Sequence, residues 1–179
     1  MSGRFDHLTS RRAVVDRRAL AERIAAVPDG DAAALRRSVT AILRETLDAG
    51  RAEVARRLMA HPSRGLEAAN TYAYLVDQIL IALADFTIHR LHPVSNPTAA
   101  ERLTLIAVGG YGRGEMAPFS DVDIAFVTPW KQTPWAEQAI ESMLYALWDL
   151  GLKVGHSSRS LDEMVRQAKG DVTVRTALL

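Results

Sequence analysis

Apolar residues recur at helical spacing through the first half of the chain, and the pattern changes near residue 100. Residues 15–27 read as a helix that Pro28-Asp29-Gly30 breaks. Asp31 is placed to cap a second helix, running from Ala32 toward Leu58 with a bend at Gly50, and His61-Pro62-Ser63 ends it. A third helix spans about residues 66–91. Its positions Ala69, Tyr72, Leu75, Val76, Ile79, Leu83 and Phe86 form a wide stripe expected to be buried, with Tyr72 and Tyr74 in the core. The segment HPVSNPTAA, with Pro93 and Pro97, reads as a linker, giving a helical region at 1–96 and a second region at 97–179.

Past the linker the apolar runs are short. Residues 103–108 and 122–127 read as buried strands, the second with an aspartate at its second position. Between them lies a glycine-rich turn and a stretch able to open a helix. Residues 134–150 form a helix ended by Gly151, 153–159 read as a third strand, and Ser160 or Asp162 can cap a further short helix. The expected fold class is α+β. The final segment DVTVRTALL is apolar and periodic with no stop signal, so the chain is expected to be a fragment truncated at its C-terminus.

Composition narrows the function classes. The 179 residues are 48% hydrophobic and 24% charged, the profile of a globular protein. The net charge is +1, without the basic excess of a nucleic-acid binder, and arginine-dense stretches at 11–18 and 51–57 carry interspersed acids that suit solvated helix faces. There is no cysteine, which excludes disulfides and thiolate metal sites. The charged N-terminus is no secretory signal, and apolar stretches such as 79–84 are too short to span a bilayer. The expectation is a cytoplasmic protein with neither nucleic acid nor membrane as partner.

The chemistry concentrates in GGYGRGEMAPFSDVD, residues 109–123. Gly109, Gly110, Gly112 and Gly114 follow directly on a predicted strand, where the backbone can turn tightly and bring N–H groups to phosphate oxygens. A helix opening after the turn would add its positive N-terminal end. Arg113 is suited to pair with phosphate, and Ser120 to donate a hydrogen bond to it. Asp121 and Asp123 sit two apart, so on a strand both carboxylates share a face and offer hard oxygens to Mg²⁺. The glycines match neither G-x-x-x-x-G-K-[ST] nor G-x-G-x-x-G, which removes the P-loop and the dinucleotide fold. What is left suits metal-dependent nucleotidyl transfer.

The run G-G-Y-G-R-G-E followed by S-D-V-D resembles the PII uridylyltransferase/uridylyl-removing enzymes of the DNA polymerase β-like nucleotidyltransferase superfamily. The resemblance extends through KQTPWAEQAIESMLYALWDLGLKVGHSSRSLDE and DVTVRTALL, is specific from about Asn70 onward, and is looser before it. It implies a nucleotidyltransferase-type small mixed sheet flanked by helices, UTP as donor with Mg²⁺, a tyrosine of the PII signalling protein as acceptor, and glutamine as effector of the full-length enzyme through domains absent here. It assigns Gly109, Gly110 and 112–114 to the nucleotide-holding turn and Asp121 and Asp123 to the metal pair. Many superfamily members place a third carboxylate on a later strand, whereas KVGHSSR has none. His156, or a residue beyond 179, is left to fill that role if it is filled. His89 and His92 read as capping or solvated, and Trp130, Trp135 and Trp148 as packing residues. Two alternatives stand beside the uridylyltransferase: an adenylyltransferase of the glutamine-synthetase type, and a non-catalytic nucleotide-binding fragment.

Overall fold

A computed structural model describes residue 5 and residues 7–177. They form two compact units. One holds the described residues up to Phe86 together with Gly114–Pro118, and the other holds Thr87–Arg113 and the described residues from Phe119 onward.

The first unit is helical. Its elements are α1 (Arg11–Val14), α2 (Arg17–Ala25), α3 (Ala32–Ala60) and α4 (Gly65–Phe86). Asp16 caps α2 by accepting from the backbone N–H groups of Arg18 and Ala19, and Asp31 caps α3 by accepting from Ala34 at 2.8 Å. The helix is 29 unbroken residues through Gly50. Gly50 serves a close crossing: a Cβ there would stand 2.4 Å from Leu75 Cδ1. Around that crossing Val39, Leu43 and Leu47 of α3 pack with Leu75, Val76, Ile79 and Leu83 of α4, all buried. Tyr72 and Tyr74 are core residues as expected, and only Ala69 of the stripe stays partly exposed.

By length and composition the helix Gly65–Leu91 is apolar enough to cross a membrane, contrary to the reading from short runs. Its apolar residues are spread over a longer window, and 67% of that window is buried inside the protein, which is the signature of a core helix.

The second unit opens where α4 widens into one π-helical turn, Thr87–Leu91, closed by the His92 N–H donating to the Thr87 carbonyl. Three strands follow, β1 (Thr104–Ala107), β2 (Val122–Thr128) and β3 (Val154–Ser160), in the order β1-β2-β3. β1 runs antiparallel to β2, with Ala107 opposite Ile124, and β2 runs parallel to β3, with Asp123 opposite Gly155. The sheet is therefore mixed, as expected, and β2 is its central strand.

Helix α6 (Pro134–Asp149) makes the crossover between the parallel strands. Thr133 caps it, Pro134 opens it, and Gly151 at φ 74 closes it. Gly151 N–H donates to Trp148 O and Leu152 N–H to Leu147 O. Helix α7 (Leu161–Gly170) starts in a capping box in which Ser160, rather than Asp162, exchanges bonds with Glu163. Met164 of α7 covers Ala125 and Val127 on one face of β2. The opposite face presents Val122, Ile124, Phe126 and Thr128, all buried. Helix α8 (Val172–Ala177) follows α7, and the last two residues of DVTVRTALL lie outside the described residues.

Candidate active site

The glycines of the motif are the helix rather than a turn preceding one. β1 ends at Ala107, and Gly109–Arg113 forms a five-residue helix, α5. Gly109, at φ 60, redirects the chain out of the strand. The Gly112 N–H then donates to the Val108 carbonyl at 2.9 Å and closes the turn. A side chain at 112 would not fit, because its Cβ would stand 2.8 Å from Ala107 O. After Arg113 the chain is turn and extended backbone up to β2, so the helix expected downstream of the glycines does not form among the described residues.

Gly114 is buried at φ 79 and belongs to the helical unit, where its carbonyl accepts from Asn70 Nδ2 at 2.8 Å. Met116, two residues on, is buried too. Arg113 is exposed, whereas Gly110 and Ser120 are half-buried.

The carboxylates differ in setting. Asp121 lies one residue before β2 and is exposed, while Asp123 is the second residue of β2 and half-buried. β2 is otherwise buried at every position, so Asp123 is the one charged residue in a core strand. Two glycines flank its side chain. A Cβ at Gly155 would stand 2.2 Å from Asp123 Oδ1, and a Cβ at Gly109 would stand 3.4 Å from Oδ2. The carboxylate thus occupies a slot between two glycines, and the Gly155 side has no room for a side chain. Among the described residues no side-chain hydrogen bond or ion pair engages Asp121 or Asp123.

The register separates His156 from this slot. Successive residues of β3 alternate in face, and Gly155 shares the face of Asp123. His156 pairs with Ile124 on the other face, where its ring meets Trp148 of α6 edge-on at 6.5 Å. Ser157, paired with Ala125, is the next β3 residue on the Asp123 face. Among the described residues no group of three or more His, Asp or Glu side chains converges as a metal site. His92 bonds Ser142 Oγ at 2.8 Å, and its carbonyl accepts from Trp135 Nε1 at 2.9 Å, so it braces α6. Trp135 is half-buried and Trp148 packs edge-on against Tyr145 and His156 on a partly exposed face, whereas Trp130 is largely exposed.

A cavity of about 340 Å³ lies elsewhere, within the helical unit, lined by Arg56, Arg57, His61 and Arg64 with Glu53 and Glu67. Its arginines are already paired. Glu53 holds Arg56 and Arg57 at 2.7 and 2.8 Å, and these contacts hold its carboxyl at about 2. It lacks a glycine-framed carboxylate.

Sequence reasoning missed Asn70 as a support for Gly114, Gly155 as the wall of the Asp123 slot, and Phe119, which projects into solvent just before the carboxylates. Glycine at 155 was readable, but its partner depends on strand register.

Comparison with known proteins agrees with this chemistry. Residues 97–167 match the family described as nucleotidyltransferase domain. The chain is 58% identical over 172 residues to the bifunctional uridylyltransferase/uridylyl-removing enzyme of Novosphingobium aromaticivorans, covering 96% of this chain and 19% of the relative. The enzyme of the same name from Erythrobacter litoralis is 49% identical over 168 residues, covering 94% and 18%. That from Azospirillum brasilense is 47% identical over 175 residues, covering 97% and 19%. The chain spans about one fifth of the length of these curated relatives. No solved structure matches it significantly.

Proposed function

We propose that this chain, a homologue of bifunctional uridylyltransferase/uridylyl-removing enzymes that carries a nucleotidyltransferase domain, provides the uridylyl-transfer site of such an enzyme. The donor is UTP and the acceptor a tyrosine hydroxyl of the PII signalling protein. The phenolic oxygen bonds to the α-phosphorus, the bond from that phosphorus to the α,β-bridging oxygen breaks, pyrophosphate leaves, and the phenolic proton passes to solvent. The observation that carries this reading is the Asp123 carboxylate held in a two-glycine slot beside the Gly109–Arg113 helix.

In this reading Asp121 and Asp123 are the metal carboxylates and the catalytic residues. The donor set fits Mg²⁺: two hard carboxylates, one of them half-buried, and neither in an ion pair among the described residues. Magnesium, when bound, would neutralise triphosphate charge and stabilise the pentacoordinate phosphorus. Gly109, Gly110 and Arg113 hold the nucleotide, Gly109 through backbone approach and Arg113 through its guanidinium, while Gly112 shapes the α5 turn against Ala107. Ser120 donates to a phosphate oxygen. The division into a helical region at 1–96 and a transferase core at 97–179 and a cytoplasmic location belong to the same proposal.

The test is label transfer in the complete gene product. Purified PII, Mg²⁺ and α-labelled UTP or ATP are supplied in parallel. Transfer from UTP, lost in Asp121→Asn and Asp123→Asn, is expected. Transfer from ATP alone overturns the uridylyl assignment, and full activity of both aspartate variants overturns the site.

A further inference from the structure

Phe119 is held in a conformation that costs the isolated chain twice. Its backbone sits at φ 68, a left-handed region that bulky L-residues rarely adopt and that glycine or asparagine enters readily. Its ring is 84% exposed, so it also leaves a large apolar surface in water. No aromatic partner meets it among the described residues. Side chains in strained backbone with no return inside the fold point to a task outside it. Phe119 lies two residues before Asp121, which puts the two Cα atoms within about 7 Å of each other.

We propose that Phe119 is an anchor for the protein acceptor of the transfer reaction: its ring enters an apolar recess on the partner polypeptide and registers the acceptor hydroxyl against the carboxylate pair. This rests on the transfer reading above and adds the residue that selects a protein acceptor. A nucleobase site is concave and needs walls on several sides, whereas no second ring meets Phe119 among the described residues. A ring almost wholly in water is a projection. Projecting aromatic side chains are what protein interfaces take up as central anchors.

The experiment measures steady-state label transfer by the complete gene product carrying Phe119→Gly or Phe119→Asn, with PII and UTP varied separately. Both replacements suit the left-handed backbone, so thermal midpoints at or above that of the wild type are expected and report intact folding. The proposal expects KM for the protein acceptor to rise about tenfold or more in both variants, with KM for UTP within twofold of wild type. An acceptor KM that stays within twofold overturns it. A rise in KM for UTP instead overturns it in favour of a nucleobase platform. Wild-type protein that transfers nothing to PII overturns the functional reading first and this inference with it, an outcome distinct from the other two.

Discussion

Replacing Gly155 by alanine adds one methyl group, and the structure says where it goes. The new Cβ would stand 2.2 Å from Asp123 Oδ1. A comfortable carbon–oxygen contact is about 3.3 Å, so roughly 1 Å of overlap must be relieved. The other carboxylate oxygen lies toward Gly109, which has no side chain, so the carboxylate can swing only by leaving the position it now holds between the two glycines. Asp123 must therefore turn off its present rotamer, at about 0.5–1.5 kcal/mol. Alanine in a strand interior recovers about 0.5–1 kcal/mol relative to glycine, so net stability changes by about 1 kcal/mol at most.

The consequence for chemistry is far larger. A displacement of about 1 Å in a reacting constellation costs on the order of 100-fold in rate, equivalent to about 2.7 kcal/mol. The assay is UMP transfer as a function of Mg²⁺ concentration, alongside a thermal melt. Gly170→Ala serves as control, since nothing lies within 4 Å of a Cβ there. The expected result is a large loss of transfer and a weakened Mg²⁺ response at nearly unchanged thermal midpoint. Gly155→Ala with wild-type rate and Mg²⁺ dependence would refute the slot as the support for Asp123.

Further outcomes follow from other contacts. Gly50→Ala drives a Cβ to 2.4 Å from Leu75 Cδ1 and is expected to destabilise the helical unit by about 1–3 kcal/mol, partly restored by Leu75→Val in a double-variant denaturation cycle. Glu53→Gln removes a carboxylate whose folded value, about 2, lies below its ordinary 4.5. Its stabilising contribution is complete above about pH 4.5 and disappears as pH falls toward 2, so the variant and wild type should differ in urea midpoint at pH 7 and converge in acid. Ser160→Ala breaks the α7 capping box and should cost about 0.5–2 kcal/mol by chemical denaturation. His156→Gln, on the face opposite Asp123, should leave the Mg²⁺ dependence of transfer unaltered, and a shifted dependence would return His156 to the site.

Much of this architecture is written in local patterns. The α3 cap at Asp31, the α6 stop at Gly151 and all three strands follow from short-range spacing, because caps and strand alternation are decided by a few neighbouring residues. The α4 stripe was legible for the same reason. The misreadings all required tertiary knowledge. The close approach of Leu75 to Gly50 cannot be read from either helix alone. The motif glycines read as a loop because glycine disfavours helix, yet at 109 and 112 the lack of a Cβ is what lets α5 form against the end of β1. His156 reads as a candidate ligand until parallel register assigns its face. The two-residue spacing of the aspartates was visible, but not the unequal burial that makes Asp123 the half-buried member and Asp121 the exposed one.

On the proposed transfer reading, the slot around Asp123 also sets when in folding the chemistry can begin. Its walls come from residues 109, 123 and 155, and the last of these is delivered only when β3 docks parallel to β2 through the α6 crossover. Parallel pairings close long chain loops before they gain contacts and so form slowly. Metal and nucleotide affinity should therefore appear late in refolding, after helical circular dichroism is complete. In the native protein, fraying of Val154–Ser160, visible as fast amide exchange along β3, would switch the site off while the helices remain intact.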